Sequence, residues 1–151
     1  MIHQPINRYL EDKWMDHMDH ALGRPLDPTG ETYRNFYSTS GELADRMAAS
    51  PYWQEGRRGT QFRNFAVSDE GRKALAAHLR EIGDSHRAYI VSFNGYNSTV
   101  IAKSPTKAKY DYYLRISDVW SDLTFKEFCR NAKVHVAMPK VRRAANNGGN
   151  Q

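Results

Sequence analysis

Residues 88–102, AYIVSFNGYNSTVIA, decide how this chain is read. Ala88 to Phe93 and Ser98 to Ala102 are rich in branched and aromatic residues, as strands are. Between them lies Asn94-Gly95-Tyr96-Asn97, and Asn-Gly is the pair that most readily takes the positive backbone angles of a hairpin turn. Working outward, Ser104-Pro105 supplies a helix cap and a first-turn proline. The helix it opens runs through Tyr110, Tyr113, Leu114 and Ile116, with Tyr110, Tyr113 and Leu114 expected on its core face. Asp118 to Leu123 breaks the pattern. Thr124 and Glu127 are spaced as a capping box, and Leu123 can staple onto Phe128. Phe125, Phe128, Cys129 and Ala132 are expected to face inward, and Val134, Val136 and Met138 alternate as a last strand. Residues 86–138 therefore read as a ββααβ unit.

The preceding part reads differently. Leu10, Trp14, Met18 and Leu22 recur every four residues, predicting a helix over Asn7–Leu22 that ends at Gly23. Residues 24–30, RPLDPTG, form a loop, and residues 31–37, ETYRNFY, are either a turn of helix or an extended piece. Thr39 and Glu42 are spaced as a capping box for a helix whose stripe is Leu43, Ala44, Met47 and Ala48, stopped at Ser50-Pro51. Gly56-Arg57-Arg58-Gly59 reads as a tight basic turn before an extended Thr60–Val67. Ser68 then caps a helix with Ala74, Leu75, His78, Leu79 and Ile82 on one face. Residues 1–83 are thus a helical part with one basic β-hairpin, and the whole chain is α+β. Residues 139–151 are expected to be a disordered basic tail, since AANNGGNQ has nothing to bury.

Composition sets the outer limits. The chain has 151 residues, 40% apolar and 26% charged, which supports folded cores and excludes wholesale disorder. No stretch is long and apolar enough for a membrane helix, and no cationic-then-apolar leader stands at the N-terminus. A single cysteine, Cys129, forms no internal disulfide and suits a reducing cytosol, bacterial or host, so a cytoplasmic location is expected. Charge is lopsided: residues 1–85 hold 11 basic and 13 acidic residues, net −2, whereas residues 86–151 hold 11 and 4, net +7. Such a half attracts phosphate polyanions or acidic protein surfaces.

Candidate functional residues follow from that asymmetry. Arg57 and Arg58 at a hairpin tip, with Arg63 on the next strand, are placed to contact a phosphate backbone. Lys103, Lys109, Lys140, Arg142 and Arg143 extend the basic set. Lys107, Asp111 and Arg115, spaced i, i+4, i+8, read instead as a self-neutralising ladder. Tyr52, Trp53 and Tyr96 are candidate anchors for a protein partner, with ordinary core packing as the competing role, above all for Trp53. His17 and His20 lie three apart on a helix, beside Asp16 and Asp19, but lack a third ligand and sit on the expected solvent face, so no metal and no cofactor are expected. Asp84-Ser85-His86 has the residue types of a triad, yet sequence neighbours do not make its geometry. No nucleophile elbow or phosphate loop is present, and Cys129 reads as a buried, inert thiol. The expectation is a protein without enzymatic activity.

Phe65-Ala66-Val67-Ser68-Asp69-Glu70-Gly71-Arg72-Lys73-Ala74-Leu75 resembles the second wing strand and following helix of winged-helix domains. The likeness spans Leu43 to Leu79. It implies a wing at Arg57 and Arg58 lying on a nucleic-acid backbone, DNA rather than RNA. The helix at Thr39–Ala49, with Glu42, Asp45 and Arg46, would stand where the recognition helix stands. Between Leu22 and Thr39 the chain has a proline-rich loop where that family has further helices. More broadly, His20-Ala21-Leu22-Gly23-Arg24-Pro25, Tyr33-Arg34-Asn35-Phe36 and Ser104-Pro105-Thr106-Lys107-Ala108-Lys109-Tyr110 are similar to segments of small bacteriophage and prophage accessory proteins. That resemblance implies a regulator binding nucleic acid through backbone phosphates or, alternatively, an inhibitor of a host or defence complex of the anti-CRISPR kind.

Overall fold

The computed structural model describes residues 6–137. The chain divides into two compact units, residues 1–85 and 86–151, each with its own sheet and its own core.

The first unit begins with an extended segment. Ile6, Arg8 and Leu10 are buried and the intervening Asn7 and Tyr9 are exposed, the period of two of an extended chain. Helix α1 therefore spans Lys13–Ala21, starting six residues later than the leucine and tryptophan spacing predicts. Asp12 takes the cap position, its carboxylate accepting the Trp14 and Met15 N–H groups. Strand β1 (Tyr37–Thr39) resolves the ambiguous aromatic piece as extended. Helix α2 spans Gly41–Ala49. Thr39 is paired with Arg63 across the sheet, so the expected Thr39/Glu42 capping box does not form, and Ser40 holds the cap position without a side-chain bond. Strands β2 (Trp53–Glu55) and β3 (Arg63–Val67) make the hairpin, and α3 (Asp69–Glu81) follows, capped by Ser68. The strand order is β1-β3-β2, all antiparallel.

Phe65, Val67 and Trp53 lie on the inner face with Met18, Leu22, Met47, Leu75 and Leu79. Ile82, expected in that stripe, is the C-cap of α3 and is 52% exposed. Gly71 explains the glycine of the wing-like pattern: a β-carbon there would run into the Tyr52 carbonyl oxygen and lie 2.7 Å from Val67 Cγ1. The hairpin-then-helix of the resemblance is present, but α2 alone lies between β1 and β2.

The second unit is the expected ββααβ: β4 (Arg87–Phe93), β5 (Tyr96–Ala102), α4 (Pro105–Ser117), α5 (Phe125–Asn131) and β6 (Lys133–Val136), with strand order β5-β4-β6. Its hairpin turn is a two-residue loop, tighter than the four-residue reading. Phe93 pairs with Tyr96, and Asn94 and Gly95 take φ of 50° and 79°, as a type I′ turn requires. Ser104 caps α4, and the Thr124/Glu127 capping box opens α5. The face of α4 is rotated from expectation. Ala108 and Tyr112 point inward, whereas Tyr110 and Leu114 are 43% and 45% exposed. Phe125 is likewise exposed, edge-on to Tyr110, and Cys129 is half-buried. Tyr89, Val91, Phe93, Val100, Leu123, Phe128 and Ala132 fill the core, with Phe93 and Phe128 rings 4.9 Å apart. Val136 of the last strand is exposed.

Candidate polyanion-binding hairpin

The β2–β3 hairpin is wider than the sequence implies. Gly56 N–H donates to the Asn64 carbonyl at 2.8 Å and Gly59 N–H to the Phe62 carbonyl at 3.1 Å, so the turn closes over Gly59–Phe62. Arg57 and Arg58 stand on the rising arm rather than at the tip, both exposed. Arg63 does not join them. Its guanidinium donates to both Glu55 oxygens at 2.7 and 2.9 Å and to Asp45 Oδ1 at 2.8 Å, tying β3 to β2 and to α2. The hydrogen bonds from Arg63, with its charge, hold the Glu55 carboxyl down at about 2, and the Arg63 guanidinium is correspondingly harder to deprotonate. A bidentate pair of this kind fixes geometry as well as charge. Arg63 is thus a brace and leaves the set of phosphate-contact candidates.

Arg58 Nε reaches Glu55 Oε1 at 3.2 Å, but this is a single contact and the Arg58 side chain is mostly in solvent. The Arg57 guanidinium has no partner among the described residues, while its carbonyl is fixed by Asn64 Nδ2 at 3.2 Å. Beside it lies a hollow of about 430 Å³ lined by Asn35, Phe36, Gln54, Glu55, Arg57 and Asn64, among others. On helix α2 the Arg46 guanidinium rests over the Trp14 ring, 4.8 Å from its centroid.

In the second unit Lys103 is exposed and Lys109 half-buried, while Lys107 is neutralised by Asp111 at 2.7 Å, the ladder's expected first rung. Lys140, Arg142 and Arg143 lie outside the described residues.

The remaining candidates separate cleanly. Trp53 is a core residue, edge-on to Trp14, Tyr37 and Phe65, and Tyr52 packs partly against the same core; neither is presented as an anchor. Tyr96 is 73% exposed. Phe93, Tyr112, Ile116, Val119 and Trp120 gather near it, a grouping sequence reasoning missed. The apolar pair Val119-Trp120 inside a polar inter-helix segment was the available signal.

Of the two histidines expected on the solvent face, His20 is exposed and His17 is half-buried. Both rings meet Tyr37 edge-on, and His17 Nδ1 and the Tyr37 hydroxyl are hydrogen-bonded at 3.0 Å. Burial lowers the basicity of both imidazoles, helped for His20 by Arg34. Their acidic neighbours are already engaged: Asp19 is fully buried against Arg8 and Arg24, and Asp16 binds Arg24 at 2.7 Å. Among the described residues no three His, Cys, Asp or Glu side chains are placed to hold a metal ion, and no helix is long and apolar enough to cross a membrane.

No known protein family, no curated protein and no solved structure matches the chain.

Proposed function

We propose that this chain is a non-enzymatic nucleic-acid-binding protein of the small phage accessory kind, acting in the bacterial cytoplasm and contacting backbone phosphates with the β2–β3 hairpin. The observation that carries the reading is the division of labour among its arginines. Arg63 is held by Glu55 and Asp45 and stiffens the base, so Arg57 and Arg58 are carried outward on a braced arm. A braced backbone loses less freedom on binding a phosphate than a slack loop does. Arg57 and Arg58 are neighbours on one arm, and Gln54 lines the hollow beside Arg57 together with Glu55, whose carboxylate is engaged by Arg63 and Arg58. Backbone contacts of this type position a protein on a duplex and carry little sequence information. The +7 half of the chain adds a long-range field that favours encounter with polyanions.

Gel-shift titration with a random-sequence duplex DNA at low salt tests this. Binding is expected, together with a loss of at least tenfold in Arg57→Glu/Arg58→Glu and little change in Lys107→Glu. No shift at low salt, or equal binding by the double variant, overturns it.

A further inference from the structure

The second unit carries a groove that the hairpin reading leaves unused. Phe93, Tyr96, Tyr112, Ile116, Val119 and Trp120 line a concavity of about 320 Å³ between the β4–β5 turn and the C-terminal end of α4, with Asn94 and Arg115 at its edge. Its apolar walls are open to water: Val119 is 91% exposed and Trp120 46%. Large apolar side chains left in water in one contiguous, concave patch mark interaction sites. The floor is rigid. Phe93 packs on Phe128 and on Trp120, with ring centroids 4.9 and 5.8 Å away, and Tyr112 packs on Phe128 at 5.9 Å. Asn94 and Gly95 hold their left-handed turn, which sets Tyr96 at the rim.

We infer that this groove docks a segment of a partner protein bearing an apolar anchor flanked by carboxylates. Two observations select that occupant. Asp118 and Asp122 flank the Val119-Trp120 wall, but the lining itself contains no acidic residue, and residues 86–137 as a whole carry eight Lys and Arg against four Asp and Glu, so an acidic flank meets a net positive unit. Ile116 and Val119 are aliphatic walls that fit an aliphatic or aromatic side chain, and Asn94 is the sole amide able to read a base edge there, which favours a protein segment over an unstacked nucleobase. The inference is independent of the hairpin: it concerns the other unit and a different class of ligand.

The test is a titration of the isotope-labelled full chain with synthetic peptides, followed by amide chemical shifts. One peptide carries a Leu-Trp anchor between glutamates, a second the same anchor between lysines, and a third alanines between glutamates. The expected result is shift changes centred on Phe93–Tyr96 and Ile116–Trp120 with the first peptide, at least tenfold weaker binding of the other two, and loss of binding in Val119→Asp exceeding that in Val119→Lys. Val119 is exposed, so both variants keep the fold. Three outcomes overturn the inference: no shifts with any peptide, shifts centred elsewhere, or the same groove signals moving more strongly with a single-stranded oligonucleotide. Groove signals that broaden with protein concentration alone, before any peptide is added, also overturn it and assign the groove to a second copy of the chain.

Discussion

The two units differ in how they use their charge. The first locks arginines into carboxylates. Arg8 lies buried against Asp19 and reaches Asp84 at 3.2 Å, Arg24 spans Asp16 and Asp19, and Arg63 is bound by Glu55 and Asp45. Both units leave aromatics in water, Tyr9, Tyr33, Phe36 and Phe62 in the first and Tyr96, Tyr110 and Trp120 in the second, but in the second Tyr96 and Trp120 line one groove over a core of Phe93, Tyr112 and Phe128. The comparison shows that formal charge is a poor map of available charge. Of the three arginines in the hairpin region, one is structural, one is lightly held and one is free of partners among the described residues.

Breaking the buried pair is the largest lever on that contrast. Asp19→Asn leaves buried Arg8 with only its 3.2 Å contact to Asp84 and takes a carboxylate from Arg24 as well, and removal of one partner of a buried pair costs about 3–5 kcal/mol. Urea unfolding followed by near-UV signal should show the transition of the first unit, which holds Trp14 and Trp53, move to lower denaturant. An unmoved transition would contradict the buried Arg8–Asp19 pair. A smaller effect is expected from Gly71→Ala. The new β-carbon meets the Tyr52 carbonyl and Val67, and overpacking of this kind costs about 1–3 kcal/mol; a melting temperature unchanged from the native chain would show that α3 and the β2–β3 sheet do not approach as closely as described.

The pH response sharpens the comparison further, with the smallest effect. Burial makes folded His17 hold its proton more weakly than the unfolded chain does, against an ordinary value of 6.5. The folded state is therefore favoured fully above about pH 6.5, and that contribution is lost as pH falls through the lowered folded value. Asp16 acts further down. Burial raises its pKa, but the Arg24 hydrogen bond and the Leu10 N–H outweigh this and leave it lowered, so its contribution is present above its ordinary value of 3.8 and fades below it. Thermal melts between pH 7 and 5 should show the first unit losing stability, with a flatter dependence in His17→Gln, where the amide can still meet Tyr37. An unchanged slope in that variant would remove His17 as the cause.

Local signals in the sequence carried much of the fold. Asn94-Gly95, Ser68, Ser104 and the Thr124/Glu127 box each act within four residues, and each stands where it was expected. The errors lie where the deciding contact is distant or the pattern lacks contrast. Arg8 looks like a polar residue early in a helix because its partner Asp19 is eleven residues away, and the extended segment it belongs to follows from that pairing. Thr39 has the spacing of a cap but is claimed by Arg63 across the sheet. On α4, Tyr110, Tyr112 and Tyr113 are three aromatics in four positions, so periodicity does not say which faces inward. For the hairpin, Arg57 and Arg58 were legible as a basic stretch, whereas the withdrawal of Arg63 depends on Asp45, eighteen residues earlier.

The central claim is that phosphates meet Arg57 and Arg58 and not Arg63. The slope of log binding constant against log salt for duplex DNA counts the phosphates neutralised, at about 0.9 per contact. Fluorescence anisotropy across a salt series should give a slope shallower by about 2 for Arg57→Ala/Arg58→Ala than for the native chain. A slope that stays the same in this double variant, or one that falls only when Arg63 is replaced, would contradict the account.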